Sequence, residues 1–110
     1  MTLDEPQFTL GIEEEYLLVD KETRSLVVDP PKSLLSECKE LRGHQVTNEL
    51  LRSQIEIGTK VCNNIQEARQ DLETLRNHVL EVTGQHGIAP IACSTPPFSR
   101  WSEQELTPKE

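Results

Sequence analysis

Residues 8–19 read FTLGIEEEYLLV, a run of aromatic, branched and aliphatic residues broken by three consecutive glutamates. These residue types fit a pleated, half-buried surface, so the run is expected to form a β-strand. Side chains alternate along a strand, which places Glu13 and Glu15 on one face and Glu14 on the other. Two carboxylates two residues apart on one face repel each other unless a proton or a cation lies between them. The face is therefore either well solvated or a place for a positive ion.

Outward from this run, Asp20 to Ser25 is polar turn material before Leu26, Val27 and Val28, and the pattern reads as a β-hairpin. Pro30-Pro31 closes it, because neither proline can donate a ladder hydrogen bond. A short helix is expected from Ser33 to Leu41, with Leu34, Leu35, Cys38 and Leu41 on one face and Gly43 as its stop. From Val46 to Thr59 the residues alternate. Leu51, Ser53, Ile55 and Ile57 fall on one side of an expected strand, Arg52, Gln54 and Glu56 on the other, and Thr47 to Leu51 suits helix or strand equally.

The strongest periodicity runs through Ile65, Ala68, Leu72, Leu75, Val79 and Val82, which predicts a helix of about five turns. Asn64 and Glu67 are spaced for a capping box, Gly84 or Gly87 suits the exit, and the outward charges are read as solvating. Ile88 to Cys93, with Pro90 inside it, is expected to be an edge strand. Residues 94–110, with Phe98 and Trp101 among Pro96, Pro97 and Pro108, suit a loop that is ordered if its aromatics dock. The expected fold class is α+β, mainly antiparallel sheet with one long packing helix, and 1–110 is read as a single unit. Leu, Ile, Val and Phe supply 29 of 110 residues, enough for a lean core and above the composition of disordered chains.

A formal charge of −8 disfavours nucleic-acid backbones and anionic lipid as partners, unless a divalent cation mediates contact with phosphates. Cys38, Cys62 and Cys93 are odd in number, with no CxxC pair, and suit reduced thiols. No run reaches the ~18 apolar residues of a membrane span, and the opening MTLDEPQF lacks a basic, apolar leader. A cytoplasmic protein is expected. His44, His78 and His86 have no metal-ligand spacing, and neither GxGxxG nor GxxxxGK[ST] occurs.

Glu13 and Glu15 on the first strand and Glu56 on a second could together hold a hard divalent cation, since such ions take oxygen ligands. Their local context alone suits a solvated face as well. Glu49 is a weaker candidate, and Arg52 and Gln54 beside Glu56 suit a surface hydrogen-bonding row.

The order FTLGIEEEYLLVD, VTNELLRSQIEIGTKVC, NIQEARQDLETLR, PPFSRWSEQELTP resembles the N-terminal part of the carboxylate-amine ligase family, also called the type 2 glutamate-cysteine ligase family. The resemblance implies a glutamine-synthetase-like catalytic domain that binds Mg²⁺ and ATP on an acidic antiparallel sheet, with Glu13, Glu15 and Glu56 as metal ligands. It implies ATP-dependent amide formation through an acyl phosphate, with amino acids as the carboxylate and amine. The family's usual GTHPF stands here as Ser94-Thr95-Pro96-Pro97-Phe98, so proline replaces histidine at 96. Family members are also much longer, and the chain is expected to be only part of such an enzyme. The alternative is a non-catalytic remnant acting in protein interaction or self-association.

Overall fold

The computed structural model of the chain describes residues 3–109. Six principal elements follow one another: β1 (Glu13–Asp20), α1 (Lys32–Arg42), β2 (Val46–Asn48), β3 (Gln54–Gly58), α2 (Ile65–Gln85) and β4 (Ile88–Ile91). The four strands form one sheet in the order β2-β3-β1-β4, with every neighbouring pair antiparallel. The fold is α+β, with one long and one short helix. No described helix is long and apolar enough to cross a membrane.

Alternation decides which face of the sheet is covered. Tyr16 and Leu18 of β1, Ile55 and Ile57 of β3 and Val46 of β2 form one core with Leu34 and Cys38 of α1, and with Leu75, Val79 and Val82 of α2. The lean composition thus suffices for one two-layer core of aliphatic side chains. Glu13, Glu15 and Glu56 belong to the face turned away from the helices, by the register Glu13↔Gly58 and Glu15↔Glu56.

Several local expectations need correction. The hairpin from β1 into residues 26–28 is reduced to a Val19↔Leu26 bridge and hydrogen bonds of Val27 N–H to the Leu18 carbonyl and Asp20 N–H to that of Ser25. β3 occupies the same edge of β1 up to Leu17, leaving the returning segment only the end of the strand. The stretch from Val46 to Thr59 is two antiparallel strands and not one, with Thr47 opposite Glu56 and Asn48 opposite Ile55. Between them residues 49–53 reverse direction, fastened by a Leu51↔Leu106 bridge and by Thr107 N–H to the Leu50 carbonyl.

Helix α2 begins as its sequence predicts, Asn64 Oδ1 accepting the N–H of Glu67 at 2.8 Å. Glu67 reaches back to the N–H of Asn63 rather than Asn64. The helix runs through Gly84, and Gly87 (φ 69°) supplies the left-handed exit that a side chain would disfavour. Its polar face is not all solvating. Asp71 is buried, accepting from Arg42 Nη2, from Gln45 Nε2 at 2.8 Å and from the N–H of Lys60 at 2.9 Å. Arg76 makes a bidentate pair with Glu14 at 2.8 and 2.9 Å.

β4 is the edge strand expected from Pro90, which stands opposite Leu18. The segment after it docks through polar groups, not aromatics: Phe98 and Trp101 are exposed while Ser99 Oγ accepts the N–H of Leu26 and Gln104 Oε1 accepts the hydroxyl of Ser53. Pro96 is buried.

Candidate functional site

Three of the chain's carboxylates converge on the sheet face opposite the helices. Carboxylate oxygens of Glu15, Glu49 and Glu56 all lie within 4.8 Å of one another. The antiparallel register puts Glu15 directly across from Glu56, and cross-strand partners on one face are separated by only about 5 Å at Cβ. Glu49 joins them because the chain reverses after β2, swinging the residue beyond Asn48 back toward β3. Its backbone is held there by the hydroxyl of Thr107, which donates to the Glu49 carbonyl, and its side chain accepts from the N–H of Leu50 at 3.1 Å.

Of the residues singled out from sequence, Glu15 and Glu56 are thus brought together and Glu13 stands apart from their triad. Glu13 is on the same face, but its cross-strand partner is Gly58, which has no side chain to meet it. Its charge still acts on Glu56. Glu14 faces the helices and is neutralised by Arg76. Arg52 serves the fold, bonding Asp29 at 3.2 Å, Glu105 at 3.0 Å and the Leu106 carbonyl at 3.0 Å. Gln54 stands opposite Leu17, next along β3 from the triad on the same face.

The weaker sequence candidate, Glu49, is therefore the third member. The signal that could have found it is the poor strand-forming sequence Asn48-Glu49, which marks the reversal.

The electrostatics follow from the crowding. A hydrogen bond shared with Glu49 raises the pKa of Glu56 to about 7, with help from burial and from the charges of Glu49, Glu13 and Glu15. Glu49 is lowered, chiefly by the hydrogen bond from Glu56 and then by the N–H of Leu50. Burial raises Glu15, and the neighbouring Glu49 raises it further. Near neutral pH the cluster thus keeps a proton that a cation can displace.

The donor set fits Mg²⁺. All its atoms are carboxylate oxygens, Glu15 is exposed and the other two are half-buried, so the cluster is open to the waters that such an ion keeps. Two of the thiols are withdrawn from this site: Cys38 and Cys62 are buried, and desolvation pushes Cys38 up to about 11.

The sequence model of Glutamate-cysteine ligase family 2 matches residues 9–110. Relatives named "Putative glutamate--cysteine ligase 2" include one from Rhodospirillum rubrum, 49% identical over 96% of this chain. One from Jannaschia sp. is 48% identical over 99% of the chain, and one from Chloroflexus aurantiacus is 39% identical over 94%. The match covers 28%, 29% and 26% of those three relatives respectively, so the chain spans under a third of their length. A match from residue 9 to residue 110 takes in every strand and helix described above, and the chain belongs to glutamate-cysteine ligase family 2.

Proposed function

We propose that this chain is the cation-binding portion of an ATP-dependent carboxylate-amine ligase that joins glutamate to cysteine or to a similar amine. The observation that carries the reading is the convergence of Glu15, Glu49 and Glu56 from two strands and one turn. In the proposed reaction a substrate carboxylate attacks the γ-phosphorus of ATP and displaces ADP. The amine then attacks the acyl carbon of the mixed anhydride, displacing inorganic phosphate and giving up a proton as the amide forms. Bound magnesium would supply electrostatic stabilisation of the phosphate oxygens as charge shifts among them.

The chain's own residues supply position. Glu15 and Glu56 are fixed by the β1–β3 ladder, and Glu49 by the reversal that Thr107 clamps. A rigid sheet suits the task, because phosphoryl transfer depends on alignment more than on covalent help from the protein. The cluster must shed its proton to hold a cation, so occupancy is expected to rise from pH 6 to pH 8.

Calorimetric titration with ATP, with and without Mg²⁺, tests the reading. Binding should require Mg²⁺ and weaken at least about ten-fold in Glu49→Gln and Glu56→Gln, each of which removes a charged oxygen ligand. The exposed Glu40→Gln should behave as the parent. Equal affinity in all four proteins contradicts the proposal.

The exposed Phe98 and Trp101 favour a second reading, a module that associates through apolar surface. Sedimentation velocity separates the two: concentration-dependent dimers lost in Trp101→Ser support association, and a monomer throughout counts against it.

A further inference from the structure

Glu49 lies one residue beyond β2, so the ladder that fixes Glu15 and Glu56 does not fix it. The reversal through residues 49–53 contains neither Gly nor Pro to set its shape. A strap from elsewhere in the chain, residues 104–107, holds it instead. Ser53 Oγ donates to Gln104 Oε1 at 2.8 Å, the N–H of Arg52 to the Glu105 carbonyl at 2.9 Å and the N–H of Thr107 to the Leu50 carbonyl at 2.8 Å. The Arg52 guanidinium adds the Leu106 carbonyl and the Glu105 carboxylate, each at 3.0 Å.

These bonds end on Leu50, Arg52 and Ser53. Only the hydroxyl of Thr107 reaches the ligand-bearing residue itself, donating to the Glu49 carbonyl. Pro108 disfavours the helical region for the residue before it, and an extended Thr107 offers its N–H and its hydroxyl to consecutive carbonyls. That grip fixes the peptide planes on either side of Leu50. In a trans peptide the carbonyl and the N–H point opposite ways within one plane, and every described peptide here is trans. Holding the Glu49 carbonyl therefore also aims the Leu50 N–H, which donates to Glu49 Oε2 at 3.1 Å.

We propose that Thr107 is a positioning residue for the cation site: its hydroxyl orients the Glu49–Leu50 peptide so that the Leu50 N–H presents the Glu49 carboxylate to Glu15 and Glu56. The inference rests on the cation-binding reading given above. It adds that the site's third ligand is set from a separate segment, so that cation binding and docking of the strap favour each other, as coupled equilibria must.

Titration of the 110-residue chain with Mn²⁺, the free ion being followed by electron paramagnetic resonance, tests it. Thr107→Val keeps the shape and the N–H of the residue and should weaken Mn²⁺ about five-fold, one neutral hydrogen bond's worth. Thr107→Ser restores the hydroxyl and should bind as the parent does. Ser53→Ala removes a strap bond that does not end on Glu49 and should leave the affinity unchanged. In the unsubstituted chain, where folding of a variant is not at issue, saturating Mg²⁺ should slow amide hydrogen exchange at Leu50 and Thr107 beyond any slowing at Val27. Equal Mn²⁺ affinity in the parent and Thr107→Val overturns the positioning role. So does a loss that serine fails to restore or that Ser53→Ala reproduces, and so does exchange at Leu50 and Thr107 that Mg²⁺ leaves unchanged. A parent that shows no saturable Mn²⁺ binding overturns the cation site and this role with it.

Discussion

Glu56 carries its raised pKa only where folding has set Glu49 against it. Between about pH 4.5 and about pH 7 the folded chain therefore binds more protons at this group than the unfolded chain does. The stability linked to it is complete below its unfolded value and is lost as pH rises through its folded one. Glu15 acts in the same direction, and the lowered Glu49 opposes them only in acid. Glu56→Gln removes the repulsion without changing shape. Thermal melts without divalent cations should therefore show the variant more stable than the parent at pH 8 by about 1 kcal/mol, the full shift being discounted for solvent screening. The difference should vanish near pH 4.5. A variant less stable than its parent at pH 8 would show that the three carboxylates do not crowd one another.

Among the elements, α2 carries two ion pairs to other elements that look alike in sequence and differ in worth. Asp71 is buried and serves three donors at once, tying α1, the Gln45 turn and the Lys60 backbone to the helix. Removing it strands those donors, so Asp71→Ala should cost about 3 kcal/mol in urea unfolding. Arg76 is half-exposed, and its pair with Glu14 competes with water. Arg76→Ala should cost about 1 kcal/mol or less. Equal losses would contradict this ranking. Periodicity reveals α2 because its signal is local, as Ala68, Leu75, Val79 and Val82 demonstrate. It cannot reveal that Asp71 is buried, since that depends on where Arg42 and Lys60 arrive. The β2–β3 reversal escapes for a related reason: residues 49–53 contain neither Gly nor Pro, and Leu51 and Ser53 continue the alternation through the turn. In a continuous strand Glu49 would stand ~23 Å from Glu56. The reversal brings their carboxylates together, which makes Glu49 the third member of the cluster while Glu13, opposite a glycine, stands outside it.

On the scale of the whole molecule, both helices cover one face of the sheet and the acidic cluster lies on the other. This asymmetry is legible from the strand parity of Glu13, Glu15 and Glu56; the identity of the third carboxylate is not. The net charge of −8 would draw divalent cations loosely to many places on such a surface, so binding alone does not establish a site. Paramagnetic broadening of amide NMR signals by substoichiometric Mn²⁺ locates the ion and separates a built site from diffuse attraction. Convergence of the three carboxylates on one ion predicts losses centred on Glu15, Glu49 and Glu56, relieved by excess Mg²⁺ and abolished in Glu49→Gln. Broadening spread evenly over the acidic residues, or unchanged in that variant, would contradict it.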